Sequence, residues 1–297
     1  MTDPSHDRSG TGCGFVILAH HRPRQALRLI DRLAPAPVFL HVDRGADPAV
    51  HRQLAEGAAA RDQVTLLPRS RSAWASWGQV EAALAGLRAA HEHGVSHAVL
   101  LSGQDYPLVP SSEIQAFCRR YDGITFMPSW SLPSPMWGLA GGMERLRYWH
   151  QPVRRRRFRI PIPRALPHGL DPYAGASWFM LARPAIDDVL RFVDERSDVV
   201  GFYRHTWTPD EMFIHTALLN SATSGEIVNE NLWFVLWTPT AKHPKVLDAG
   251  DAPALLEAAG QSSAVGGEAR IKLFARKFDA DIDAEILDVL DRDAVLA

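Results

Sequence analysis

The chain has 297 residues, and 32 Lys plus Arg against 34 Asp plus Glu leave a formal charge of -2 with the histidines neutral. That balance excludes a generally polyanion-binding surface. At 46% hydrophobic and 22% charged, with 21 Gly and 21 Pro, the composition excludes a disordered or fibrous chain and is sufficient for a sizeable core.

Residues 1–12, MTDPSHDRSGTG, read as a polar tail without a secretory or twin-arginine signal. No apolar run approaches the ~20 residues of a bilayer span, so the expectation is a cytoplasmic protein. Short apolar runs then alternate with helical patterns. GFVILAH (14–20) reads as a strand, a helix starts near Pro23, and VFLHVD (38–43) is the next strand. A helix at 48–57 and the strand QVTLLP (63–68) complete a βαβαβ order. A further helix runs from Ser76 to about His93, HAVLLSG (97–103) is a buried strand, and Pro110-Ser111-Ser112 opens another helix. In such sheets ligands sit beyond the carboxyl ends of the strands, which here carry AHHR, HVDR, PRS and SGQDYP. Cys13 and Cys118 are too few for a disulfide framework and read as small packed side chains.

From 129 to 170 regularity fails, and RRRRFRIPIPRALPHG cannot be a helix interior past its prolines, so the segment reads as a long irregular insert. Order returns with ASWFMLA (176–182) and a helix from Pro184 that sets Ile186, Val189, Leu190 and Val193 on one face. An Asp/Thr/Pro entry leads into the helix DEMFIHTALLN. LWFVLW (232–237), a helix at 252–259, KLFARKFDA and a last helix at 283–290 follow. No repeat or linker marks a second domain: residues 13–297 read as one domain, with 240–297 as its closing segment.

No GxGxxG and no GxxxxGK[ST] occurs, so neither a dinucleotide fingerprint nor a P-loop accompanies the α/β pattern. Thr208-Pro209-Asp210-Glu211 falls at a helix start, where a carboxylate is either an ordinary first-turn acid or a general base. His215 follows Glu211 by four residues, but a lone E-x-x-x-H is not a zinc motif. Arg276 and Lys277 lie between Phe274 and Phe278, and are either a solvated pair or a diphosphate clamp. Asp43 ends a strand as a turn former or a ribose acceptor. Trp77-Gly78 opens a helix as packing or as a pocket wall. Gln104-Asp105 either binds sugar hydroxyls or fixes the Pro107 turn. With no carboxylate two residues from Asp105, a metal-binding D-x-D is weakened.

The ordered strings FLHVD, SWGQVEAALAGLRAA, LLSGQDYPL, AGASWFMLAR, TPDEMFIHTALLNS, NENLWFVLW and LFARKFD resemble the core-2/I-branching β-1,6-N-acetylglucosaminyltransferase and peptide O-xylosyltransferase family over roughly residues 14–290, nearer the xylosyltransferase branch. The resemblance implies a GT-A-type α/β fold, a mixed, mainly parallel sheet flanked by helices. It also implies inverting transfer of xylose or N-acetylglucosamine from UDP-xylose or UDP-N-acetylglucosamine, with no divalent metal or other cofactor. By motif, Glu211 would be the general base and Arg276 with Lys277 would neutralise the UDP diphosphate. Ala19, His20 and Asp43 would meet the nucleotide. Trp77, Gly78, Gln104, Asp105, Ser177, Trp178 and Asp210 would line the donor and acceptor pocket, and Glu144 and Arg147 would face the acceptor.

The acceptor is expected to be a carbohydrate, peptide or glycolipid, and nucleic acid is not expected as a partner. Peripheral contact with the inner face of a membrane through Arg154 to Arg157 is a further expectation. The alternative is a non-catalytic module that binds glycans or nucleotide sugars on the same fold.

Overall fold

A computed structural model describes residues 12–153, 156–222, 225–238, 241, 243–260 and 272–293. Its strands in chain order are β1 (Cys13–Ala19), β2 (Val38–Val42), β3 (Val64–Leu66), β4 (His97–Ser102), β5 (Asp105–Pro107), β6 (Ile124–Phe126) and β7 (Ser129–Ser131), then β8 (Tyr148–Val153), β9 (Arg156–Pro163), β10 (Tyr173–Gly175), β11 (Met180–Ala182), β12 (Glu226–Val228), β13 (Trp233–Val235) and β14 (Phe274–Arg276).

The central sheet has seven strands in the order β12-β6-β11-β4-β1-β2-β3. β1 pairs in parallel with β2 and β4, and β2 with β3, while β11 runs antiparallel between β4 and β6. This is the mainly parallel α/β sheet that the alternating pattern predicts. The near-continuous burial of β1, β2 and β4 follows from helices covering both faces. On one face Ala26, Leu29, Leu54, Ile114 and Leu287 pack from four helices. Val80, Leu87, Ile186, Val189 and Ile214 pack on the other.

Local chemistry sets the helix ends. Pro23 occupies the first turn of the helix Pro23–Leu33, entered through Arg22 in the left-handed region (φ 47). The helix Trp77–His93 stops at Gly94, whose φ of 86 lets its N–H reach the carbonyls of Ala90 and His91. Gly78, its second residue, is required by close approach: a Cβ there would lie 1.8 Å from the Arg71 carbonyl oxygen.

Three expectations change. The 129–170 segment is more regular than its prolines suggest: β7 pairs with β10, a short helix spans Met143–Arg147, and β8 and β9 form an antiparallel hairpin. Residues 157–162 alternate Arg-Phe-Arg-Ile-Pro-Ile, a period-2 pattern, and proline is tolerated because β9 pairs on one side only. ASWFMLA is strand only from Met180, which leaves Ser177 and Trp178 in the preceding loop. KLFARKFDA supplies β14, which pairs in parallel with β13 and antiparallel with β5 in a three-stranded sheet. Leu247, Leu255, Ile286 and Leu290 of the closing segment share one apolar cluster with Phe15 and Ile17 of β1.

Candidate active site

The β5–β14 register sets Arg276 opposite Asp105, residues separated by most of the sequence. Asp105 is fully buried and accepts from the Ser102 backbone N–H and hydroxyl, each at 2.5 Å, and from Arg276 Nη1 at 3.3 Å. Burial pushes the Asp105 carboxyl up, against the opposing pull of Arg276 and Ser102. Burial equally pulls the Arg276 guanidinium down, with Asp105 opposing. The Arg276 guanidinium carbon also lies 4.4 Å from the Trp178 ring centroid. Of the pair Arg276 and Lys277, expected to neutralise the diphosphate, Arg276 is therefore compensated by a carboxylate.

Lys277 differs. Its ammonium makes no hydrogen bond and no ion pair among the described residues, and its pKa is lowered by burial and then by Arg276. It lies near the end of β1, where basic side chains and carboxylates mix. His20 is exposed there with its ring 4.0 Å from that of His21, and Arg22 pairs with Asp279 and, at 3.2 Å, with Asp281. Protein crowding, then His21, lowers the His20 imidazole, with Lys277 and Arg22 adding and Asp43 opposing. Ala19 is buried, and its carbonyl accepts from the Asp43 N–H at 2.9 Å. Asp43 Oδ1 accepts from Gly45 N–H at 2.8 Å and Ser72 N–H at 3.1 Å, so the turn-forming role is real.

A small pocket is lined by Gln79, Val80, Ser177, Trp178, Asp210 and Ile214. Ser177 donates to Asp210 Oδ2 at 3.2 Å. Trp178 thus joins the FARKF strand to Ser177 and Asp210, and the next residue is Glu211. Thr208 enters this turn in the left-handed region (φ 49), strain of the kind that collects at functional sites, and Pro209–Glu211 form a single 3-10 turn ahead of the helix Phe213–Leu219. Glu211 therefore sits on a bend before the helix and not inside its first α turn.

The Glu211 carboxylate is about one-third exposed and pairs with Arg145 Nη1 at 2.7 Å. The same nitrogen donates to Thr208 Oγ1 at 2.6 Å, and the Arg145 guanidinium lies 3.8 Å from the Trp137 ring centroid. Sequence reasoning singled out Glu144 and Arg147 in this helix, yet Arg145 is the residue that reaches Glu211. Successive helical residues are turned by ~100°, so neighbours point apart. Arg147 is exposed, and Glu144 has an oxygen, Oε2, buried without a hydrogen bond.

Other expected pocket residues are structural in placement. Trp77 is 7% exposed, donates from Nε1 to Glu81 at 2.9 Å and meets Phe213 edge to face. Gln104 is buried and donates to the Phe278 carbonyl at 3.3 Å. Gln25, which the sequence reading missed, donates to the carbonyls of Gly103 (2.9 Å) and Phe278 (3.2 Å) and accepts from Ala280 N–H (2.8 Å). These two glutamines lash the loop after β14 to the sheet end. A polar residue on the buried face of an amphipathic helix was the available signal. His215 is fully buried, and burial lowers its imidazole to about 4, so it is a neutral core residue. Among the described residues no group of three or more His, Cys, Asp or Glu could hold a metal ion. Arg154, Arg155 and Lys242 lie outside the described residues, and of Arg156 and Arg157 only the backbone is described.

A mainly parallel seven-stranded sheet with one reversed strand, flanked by helices, makes this a mixed α/β protein consistent with a GT-A-type fold. The chain belongs to the core-2/I-branching enzyme family, whose description, "Branch: Core-2/I-Branching enzyme", matches residues 14–254. It is 26% identical over 296 residues to xylosyltransferase 1 of Canis lupus familiaris, covering 93% of this chain and 30% of that protein. Xylosyltransferase 2 of Homo sapiens is 26% identical over 293 residues, covering 93% and 33%. The chain thus spans about a third of the length of these curated relatives. HddC from Yersinia pseudotuberculosis aligns over 60% of this chain and 80% of its own at a TM-score of 0.30 and 11% identity.

Proposed function

We propose that this chain is a glycosyltransferase that moves xylose or N-acetylglucosamine from a UDP-sugar to an acceptor hydroxyl with inversion and without a divalent metal. The observation that carries this reading is a chain of contacts from the buried Asp105–Arg276 pair through Trp178 to the pocket lined by Trp178, Ser177 and Asp210, with Glu211 the next residue after Asp210. Direct displacement needs a base at the acceptor hydroxyl and positive charge at the departing diphosphate. Glu211 takes the first role. Its partner Arg145 holds it in place until the acceptor hydroxyl arrives.

Lys277 takes the second role, since its ammonium makes no hydrogen bond or ion pair among the described residues, and His20 with Asp43 border the nucleotide. Arg276 supports both through Asp105 and Trp178. Metal independence is supported by the chemistry of Asp105, whose carboxylate faces a guanidinium where a cation-binding acid would be left open. The relatives' names favour xylose as the transferred sugar.

UDP release from UDP-xylose and UDP-N-acetylglucosamine over an acceptor panel tests the reading. Glu211→Gln is expected to lose about 10²-fold or more in turnover while still binding UDP. Full activity is expected in excess EDTA. Wild-type turnover by Glu211→Gln removes the base assignment, and loss of activity in EDTA removes metal independence. UDP binding with no turnover on any acceptor would favour a non-catalytic binding module.

A further inference from the structure

We propose that one face of the β8–β9 hairpin is a docking surface for an anionic lipid bilayer. Alternate residues of a strand share a face, so Phe158, Ile160 and Ile162 point the same way, and Trp149 joins them because it is the register partner of Ile160. All are exposed: Phe158 at 51%, Ile160 at 36%, Ile162 at 62% and Trp149 at 37%. A run of large apolar side chains left in water on one narrow ribbon marks an interaction surface. The ribbon is rigidly seated at its base, where His150 N–H donates to the His205 carbonyl at 2.9 Å and Arg164 N–H to the Arg147 carbonyl at 2.7 Å. Trp149 also stacks on His205 at 3.8 Å.

Charge identifies the occupant. Between Glu144 and Asp171 the sequence holds eight arginines and no acidic residue, in a chain whose formal charge is -2. A second copy of this chain would bring two arginine-rich ribbons together. It would also find a poor edge for strand pairing, since Pro161 and Pro163 of β9 lack an N–H to give. Nucleic acid answers the arginines but offers nothing to Phe158, Ile160 and Ile162. An anionic bilayer answers both features, since the apolar side chains can enter the headgroup boundary and an arginine-rich segment is attracted to lipid phosphates. The same ribbon leads through the helix Met143–Arg147 to Arg145 and Glu211, so docking would set the pocket close to the membrane.

Vesicle co-sedimentation of the full chain tests this without any sugar transfer, so its failure and that of the glycosyltransferase reading are separable. Binding is expected to vesicles of mixed phosphatidylcholine and phosphatidylglycerol, to weaken with added salt, and to be lost on phosphatidylcholine alone. The triple variant F158S/I160S/I162S alters only exposed positions, and is expected to lose about tenfold or more of that binding with an unchanged thermal melt. A second readout uses Ile162→Cys carrying an environment-sensitive fluorophore, since the native Cys13 and Cys118 are buried. Its emission should shift to the blue on adding anionic vesicles. Undiminished binding by the triple variant, no spectral shift, or tighter binding to duplex DNA than to the vesicles would overturn the proposal.

Discussion

Glu211 and His215 lie four residues apart, and their surroundings give them opposite characters. Glu211 stands on a strained bend, partly open, beside a guanidinium; His215 is enclosed by protein. Gly175 shows how tightly, because a Cβ there would come within 2.4 Å of the His215 ring. The sign of the acid response follows. The unfolded histidine takes a proton below 6.5, whereas folded His215 resists until about 4, so the unfolded state binds more protons throughout that window. Stability contributed by neutral His215 is thus complete above 6.5 and falls as pH drops towards 4, by about 3 kcal/mol in all. Burial lowers the imidazoles of His41 and His97 too, which steepens the same response. In urea denaturation, His215→Gln should flatten the wild-type loss between pH 7 and 5 by about 2 kcal/mol. An unchanged slope would assign the acid response to the other histidines. The pair's spacing in the sequence could not separate base from core residue, because burial is a property of what packs around them.

At the level of elements, the sharpest constraint is where the helix Trp77–His93 begins. The loop carrying Arg71 and Ser72 crosses Gly78 so closely that a methyl group meets backbone, which cannot swing aside as a side chain can. Gly78→Ala is expected to cost about 1–3 kcal/mol, read as a lower thermal midpoint. Gly201, in the helix Ser197–Tyr203, has nothing near its absent Cβ, and Gly201→Ala should stabilise by about 0.5–1 kcal/mol. Equal effects of the two changes would refute the close-approach account. Apolar runs made β1, β2 and β4 legible, since strands buried on both faces need little context. The hairpin β8–β9 was hidden by its prolines, which forbid a helix but only restrict a strand to an edge. Arg145 was missed for a related reason: the five-residue helix that carries it has too little periodicity to say which side faces the pocket.

Across the whole molecule, residues far apart in sequence share one electrostatic site. Asp105 and Arg276 are 171 positions apart and form a buried pair, while Lys277, the next residue, has no ion pair among the described residues. The two cations should therefore separate by assay. Arg276→Ala leaves Asp105 buried without its counter-charge and should destabilise the fold by about 3–5 kcal/mol. Lys277→Ala should leave the melt unchanged and cost turnover by about 3–4 kcal/mol, or 10²- to 10³-fold. A Lys277→Ala variant with normal UDP release, or an Arg276→Ala variant with a normal melt, would undo this division of roles. Gln25 and Gln104 belong to the same long-range construction, for they hold the loop after β14 against the end of β1 and β4.

The sequence by itself determined the α/β class, the order of the main strands and helices, and the set of motifs from which family membership follows. Apolar periodicity and turn chemistry act over a few residues, so a linear reading captures them. Only the tertiary structure decided which charges are compensated. It set Arg276 against Asp105, left Lys277 without an ion pair among the described residues, brought Arg145 to Glu211 and enclosed His215. Each of those outcomes depends on distance and desolvation between segments that the chain order keeps apart.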